Sequence, residues 1–517
     1  MFHLTISCGE QSTVLEFQEP VLLADALKQA RTELPMPCAG RGTCGKCRVK
    51  AQGALSRPDE RERRLLGGAL EQGERLACMA RAIGDAEVTV PKAETVVLSY
   101  GELPEFQLKP DSQGLGAAVD VGTTTVAAYL YDLSSGQLLG KDAFPNPQAA
   151  YGADVIARIQ KTMEGQGAAI RQSLQEKLRE SLFRLHREPE RIGSLVITGN
   201  TAMLYLLLGE DPEPLSHAPF QIREFFGRQV EATALGIPEL AKARLYVPPL
   251  VSGFVGGDLV SAVLSSGMTE QAEPAMLVDV GTNGEMALWD GNRLLCCSTA
   301  AGPAFEGAGI TMGMPAAPGA VSQVRLDGNA MVCGVIGGGK ALGVCGSGAI
   351  DGMAALLELG LIDEGGCINE DSPLARLLTQ WNGAPALCLG ESGVLLTQRD
   401  IRELQLAKAS ICAGIKTLLH EAGMAPEDLS AFLLAGGFGS YIDCASAGRI
   451  GMIPAGLAKQ GRPIGNAAGM GAVMELLHVP YRDRSREIAA GAVTLELSSS
   501  AYYMEQYVDA MGFPERQ

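Results

Sequence analysis

The chain begins with two short runs of alternating apolar and polar residues, "HLTISC" and "STVLEFQ". A period of two predicts strands with one buried face, and the polar residues between the runs predict a turn. "LLADALKQA" then places apolar residues at helical spacing, a cysteine-rich loop follows, and "AEVTVPK" alternates again as a closing strand. Two strands, a helix, a loop and a final strand within residues 1–95 predict a small β-grasp domain. Residues 96–115 contain two prolines and little periodicity, which predicts a flexible linker. From Gly116 onward the pattern changes. Apolar β-rich runs end in Gly/Thr turns, as in "GAAVDVGTTTVAAYLYDL", "SLVITGNTAM", "AMLVDVGTNGEMALWD" and "AFLLAGGFGSY". Between them lie helical stretches, among them "GADVIARIQKTM", "AIRQSLQEKLRESLFRLH" and a long one ended by Gly423. Such alternation predicts α/β layers. "VDVGTTT" and "VDVGTNG" repeat one element around Asp120 and Asp279, so residues 116–517 read as an internal duplication, with lobes at about 116–270 and 271–517.

Charge sharpens this division. The 517 residues carry a net charge of −17 with a pI near 4.9, yet residues 1–95 hold 13 basic and 13 acidic side chains. The whole acidic excess lies after them. A surface that acidic argues against nucleic acid and anionic membranes as partners. No apolar run reaches the roughly 20 residues of a membrane span, and "MFHLTISCGEQ" lacks the basic and apolar regions of a secretory signal. The 13 cysteines are an odd number and mostly scattered singly, which fits a reducing cytoplasm better than a disulfide scaffold.

Four cysteines are not scattered. Cys38, Cys44, Cys47 and Cys78 follow the spacing C-x5-C-x2-C-x30-C. Three thiolates in a tight loop and a fourth far away match a [2Fe–2S] ligand set, whereas structural zinc favours two similar C-x2-C pairs. Gly40, Gly42 and Gly45 let the backbone bend closely around such a core. The spacing resembles that of the adrenodoxin and putidaredoxin type of ferredoxin. Cys8 lies outside the set and reads as a strand thiol. Arg41, Lys46, Arg48 and Lys50 add positive charge nearby, either as a docking rim for an acidic donor or as a solvated face.

The two repeated turns carry a second chemistry. Each delivers an aspartate, Asp120 or Asp279, at a strand end, where it suits a hydrated Mg²⁺. Gly122 permits a tight turn, and Thr123, Thr124 and Thr125 offer hydroxyls beside backbone amides as a nest for phosphate oxygens. Gly281, Thr282 and Asn283 repeat the arrangement, and Gly436, Gly437 and Gly439 leave room for a flat ring. "GVIGGGKA" has a P-loop frame, but Ala341 stands where a Mg²⁺-binding hydroxyl belongs, so it reads as a chance match.

These turns, in this order, resemble the superfamily of actin, sugar kinases and heat-shock chaperones. The resemblance implies a two-lobed, duplicated ribonuclease H-like ATPase domain in which Asp120 and Asp279 face Mg²⁺ and phosphates, and Gly436 and Gly437 face adenosine. The whole chain, an α/β multidomain protein, further resembles the reductive activators of corrinoid-dependent methyltransferases. That resemblance rests on residues 146–159 ("NPQAAYGADVIARI"), 198–203 ("TGNTAM"), 256–262 ("GGDLVSA"), 301–321 ("AGPAFEGAGITMGMPAAPGAV") and 345–352 ("CGSGAIDG"). It implies ATP-dependent return of a Co(II) corrinoid to Co(I) by one electron from the cluster. The implied partners are a corrinoid protein and a low-potential donor such as ferredoxin or flavodoxin, and a homodimer is an open assembly. The pairing has a physical logic, because each 59 mV of uphill one-electron potential lowers an equilibrium constant tenfold and ATP can offset that. Two other readings remain open: an activator of a dehydratase or reductase, which a second iron–sulfur centre would favour, and a redox-gated chaperone-like regulator. Cys345 reads as a buried thiol. Asn200 and Glu306 lie in loops that could touch the nucleotide or merely form turns. The segment 301–321, rich in Gly, Ala and Pro, is expected as a surface loop.

Overall fold

Strands Phe2–Cys8 and Gln11–Phe17 pair antiparallel, from Phe2 opposite Phe17 to Cys8 opposite Gln11. Their alternation buries Phe2, Leu4 and Ile6. The computed structural model that shows this describes residues 1–8, 11–30, 32, 34, 40, 42, 45, 47–91, 101–436 and 441–515. It groups them into two units, Met1–Thr95 with Pro147–Leu174, and Val96–Asn146 with Gln175–Gln517.

In the first unit the sheet order is Gln11–Phe17, Phe2–Cys8, Arg81–Val90, Arg48–Leu55, Glu74–Leu76, with Val21–Leu22 pairing Arg81–Val90. Helix Leu23–Gln29 lays Leu23, Ala24, Ala26 and Leu27 onto the core of this β-grasp sheet. A second helix, Glu60–Leu66, is capped by Asp59 and clamped by a buried ion pair. Glu62 accepts two bonds of 3.0 Å from Arg75 and a third from the Leu76 amide at 2.8 Å, which leaves neither charge unpaired. The segment Pro147–Leu174 groups by its contacts with this unit. Ala150 packs on the β-grasp core, and the Lys28 ammonium lies 5.3 Å from the Tyr151 ring. Its helix Val155–Lys161 is capped by Asp154, and the buried Arg158 donates to Gly152 O at 3.0 Å.

The second unit contains one sheet twice. In the first lobe, Leu115–Val121, Thr125–Asp132 and Gln137–Pro145 form an antiparallel meander. Ile192–Gly199 adds parallel to its first strand, and Arg244–Val247 parallel to that. In the second lobe, Ala275–Val280, Gly284–Trp289 and Leu294–Thr299 form the meander, and Ala431–Ala435 and Gly461–Gly465 add in the same parallel manner. This shared topology is the duplication that the repeated turns predict. Helices Gly257–Ser266 and Ala467–Leu477 cross where Gly471 meets Ser261; a β-carbon on Gly471 would stand 2.0 Å from the Ser261 carbonyl oxygen. The long helix Gln398–Ala422 starts with a Thr397–Asp400 capping box and ends at Gly423 with φ +66°.

Two expectations fail here. The segment 301–321 is not a surface loop. Phe305, Ile310 and Ala317 are buried, and its backbone is satisfied by bonds such as Met314 N to Val344 O at 2.9 Å. Its small residues serve close packing, since a β-carbon on Gly313 would stand 2.2 Å from Gly307 O. Of the linker expected at 96–115, residues 96–100 lie outside the described residues, and 101–114 are packed rather than flexible. They are irregular, but Leu103 and Phe106 pack into the second unit and Asp111 pairs with Arg482 at 2.8 Å. The chance P-loop match stands as read, because strand Ala330–Val335 runs into a turn and no helix begins at Lys340; a short strand, Gly343–Val344, comes first.

Candidate functional sites

In the first unit, Cys47 and Cys78 are buried with their sulfurs 3.2 Å apart. Cys47 is placed just before strand Arg48–Leu55, and Cys78 by the turn after Glu74–Leu76, where Ala77 N donates to Cys47 O at 2.8 Å. Gly40, Gly42 and Gly45 all have left-handed φ, between +66° and +79°, so the loop winds in a way that side-chain-bearing residues resist. Leu65 packs within 3.6 Å of the position a Gly45 β-carbon would take, which backs the loop with the Glu60–Leu66 helix. Cys38, Cys44, Arg41 and Lys46 lie outside the described residues. Two converging soft donors and three left-handed glycines fit an inorganic cluster with thiolate ligands. Arg48 is held within the unit. It donates to Gly45 O and pairs with Glu74, both at 3.1 Å.

In the second unit, both repeated turns open onto one cleft with about 1100 Å³ of empty volume, solvent at its mouth included. Asp120, Gly122, Thr123, Thr124 and Thr125 line one side, and Asp279, Gly281, Thr282 and Asn283 the other. The first turn is held by two asparagines. Asn146 donates to Gly122 O at 2.8 Å and, through its backbone, to Thr124 O at 2.7 Å; Asn200 donates to Thr123 Oγ1 at 2.9 Å. The two turns are also clasped to each other. Thr124 and Thr282 hydroxyls lie 3.1 Å apart, and both donate to Glu306 Oε2, at 2.6 and 2.5 Å. Gly436 approaches the second turn so closely that a β-carbon would meet Val280 O at 2.6 Å and Asp279 Oδ1 at 2.8 Å. It lines the cleft, while Gly437 and Gly439 lie outside the described residues.

The electrostatics of the cleft ask for a cation. Asp120, Asp258, Asp279, Glu285 and Glu306 all line it, and among its described lining residues there is no Lys, Arg or His. Burial and the Asp258 charge push the Asp120 pKa to about 7, against a hydrogen bond from Asn466. Burial, with the charges of Asp258, Asp120 and Glu306, pushes Asp279 to about 8. Burial raises Asp258 to about 6, and Glu285 is raised well above the usual range by burial and then by Asp258 and Asp279. Among the described residues, no three such side chains are placed to hold a metal directly. Positive potential comes instead from backbone. Helices Thr201–Leu208, Gly257–Ser266, Gly346–Glu358 and Ala467–Leu477 all begin at the cleft, which Asn200, Asp258, Cys345 and Asn466 line at their N-termini. Unpaired amides and the helix dipole there favour anions.

Asp258 and Glu285 carried no assigned role in the sequence, although both sit inside quoted motifs. A single carboxylate in "GGDLVSA", or just past the turn in "DVGTNGE", follows no spacing rule of its own. Asn200 and Glu306 now have one place, at the turns. Cys345 is buried, with its sulfur 3.5 Å from Val321 O and Ser347 Oγ.

Family models match almost end to end: a 2Fe-2S iron-sulfur cluster binding domain over residues 7–82, the RACo middle region over 115–271, and the C-terminal domain of RACo, the ASKHA domain, over 273–517. The chain is 34% identical to the corrinoid activation enzyme RamQ of Eubacterium limosum, over 76% of this chain and 69% of that one. The chain belongs to the RACo family of reductive activators. Another relative of this RACo-family chain is the [Co(II) methylated amine-specific corrinoid protein] reductase of Methanosarcina barkeri, 28% identical over 68% of each chain. A solved structure titled "Reductive activator for corrinoid,iron-sulfur protein" matches with a TM-score of 0.75 and 27% identity, covering 100% of this chain and 99% of that one. As a RACo-family member the chain thus combines a 2Fe–2S-binding domain with a nucleotide-binding ASKHA domain. No helix among the described residues is long and apolar enough to cross a membrane.

Proposed function

We propose that the protein uses ATP hydrolysis to restore a Co(II) corrinoid, carried by a partner protein of a methyltransferase system, to Co(I). The observation that carries this reading is the union, in one chain, of converging cluster thiols and a two-lobed carboxylate-lined cleft. The names of two relatives and of one solved structure point to the same chemistry. A cluster held by Cys38, Cys44, Cys47 and Cys78 supplies single electrons.

The remaining roles belong to this chain's own residues. Asp120 and Asp279 would hold hydrated Mg²⁺ from opposite lobes, where its charge would offset the burial and the Asp258 repulsion that raise both pKa values. Thr123, Thr124, Thr125, Thr282 and the helix N-termini receive phosphate oxygens, with Gly122, Gly281 and Asn283 shaping the turns. Gly436, with Gly437 and Gly439, leaves space for adenine. The reading extends to a low-potential donor such as ferredoxin or flavodoxin, to a cytoplasmic setting and to a homodimer.

The test mixes the intact protein with a Co(II) corrinoid protein, a low-potential reductant and Mg-ATP. The Co(I) absorption spectrum should appear only with ATP, and Cys47→Ser should abolish it while ATP hydrolysis persists. Co(I) formed equally fast without ATP would sink the proposal.

A further inference from the structure

Residues 101–111 connect the chain that follows the first unit's last strand to the ATPase lobes, and they are fastened along one helix. Gly101 is buried against the start of Ala467–Leu477. A β-carbon there would stand 2.6 Å from Met470 Cγ and 3.0 Å from Ile464 O. The same helix end carries Asn466, which lines the nucleotide cleft. Further on, Lys109 N donates to Leu477 O and Val479 N donates to Lys109 O, both at 2.9 Å, at the helix's other end.

Between these fastenings, Leu103 and Phe106 enter two cores at once. Each core already joins the lobes: one packs first-lobe Ala118 and Tyr129 with Met470 and Leu476, the other second-lobe Leu277 and Leu433 with Val255 and Leu259. Phe106 also meets Tyr481 edge-on at 5.5 Å. The last fastening is strained in its polar accounting. Asp111 pairs with Arg482 at 2.8 Å, both nearly buried, and Arg482 lies over the first-lobe Tyr246 ring at 4.8 Å. Yet Asp111 Oδ1, Arg482 Nη2 and Glu475 Oε2 are buried without partners among the described residues. Such a network is satisfied in one arrangement only in part, and a small shift alters its energy.

We propose that residues 101–111 are a strap through which the state of the nucleotide cleft acts on the chain leading to the cluster domain, with Phe106 as its positioning residue. The inference rests on the reading that the cleft binds Mg-ATP. Phosphate oxygens entering the turns compete for the Thr124 and Thr282 hydroxyls that now clasp Glu306, so the spacing of the lobes changes. Close-packed cores do not absorb such a change continuously, and side chains wedged into both must move with it. A segment resting on one lobe would feel nothing.

Hydrogen exchange on the full-length protein, with and without a non-hydrolysable Mg-ATP analogue, reads this directly. The amides of Lys109 and Val479 should change exchange rate by about fivefold or more. Calorimetry on the same samples shows whether the analogue binds. Binding with unchanged exchange overturns the strap alone, and absence of binding overturns the cleft reading and the strap together. Phe106→Ala should keep ATP hydrolysis within about twofold while Co(I) formed per ATP falls about fivefold or more. Phe106→Leu should restore most of the loss. Equal falls in both activities, or no change in either, would reduce the segment to a structural cover.

Discussion

The two lobes repeat one sheet, but they hold their repeated turns differently. The first turn is braced by neutral amides: Asn146 and Asn200, both buried, bond its backbone and Thr123. The second is braced by its own following loop. Gly302 N donates to Thr282 O at 2.9 Å, and the loop then sends Glu306 across to Thr124 of the other lobe. Duplication therefore supplied the grip twice, while the bracing arose separately on each side. One turn is fixed locally, and the other is tied to its counterpart through a carboxylate charge.

The largest effect should come from the element both lobes share. Asp120→Asn and Asp279→Asn should each lower ATP hydrolysis about 100-fold or more, because each removes half of the grip on the cation. Steady-state rates that differ greatly between the two variants would break the equivalence of the lobes. Asn146→Ala attacks the first brace alone. It leaves Gly122 O without its buried donor and should cost about 2 kcal/mol, seen as a lower Tm. Glu306→Gln attacks the second. Removing its charge should tighten Mg-ATP binding by up to about tenfold in calorimetry; weaker binding would show that Glu306 favours the nucleotide rather than opposing it.

The smallest effect is a pH dependence. Asp258, Asp120 and Asp279 have folded pKa values raised to about 6, 7 and 8. A raised carboxyl costs stability as pH climbs from its ordinary value toward the raised one, so the nucleotide-free protein should lose Tm between about pH 4 and 8. Mg-ATP brings a cation that lowers these values again. Binding should release protons between about pH 6 and 8, and affinity should rise across that window by a few fold. Titrations in buffers of different ionisation enthalpy measure the released protons, and proton uptake would contradict the sign.

Different parts of this architecture were legible to different degrees. The alternation of residues 2–17, the helix ended by Gly423 and the repeated Asp-Val-Gly-Thr turns each depend on neighbours in sequence, and each was readable. The carboxylate cluster was not, because Asp258 and Glu285 reach the cleft only when helix Gly257–Ser266 and strand Gly284–Trp289 meet in space. Composition misled at 301–321, where glycine and alanine signal exposure by habit but here allow backbone to pack on backbone. It misled again at 101–111, where Leu103 and Phe106 show no periodicity and still bridge two cores.

A cleft whose positive potential comes from helix ends, with no lysine among its described lining residues, has one further consequence. Amines are acylated by thioesters and acyl phosphates, and an acylated lysine no longer attracts a phosphate. A row of peptide dipoles offers no such target, so acylation of lysines would find no side chain to modify among the described residues that line this cleft.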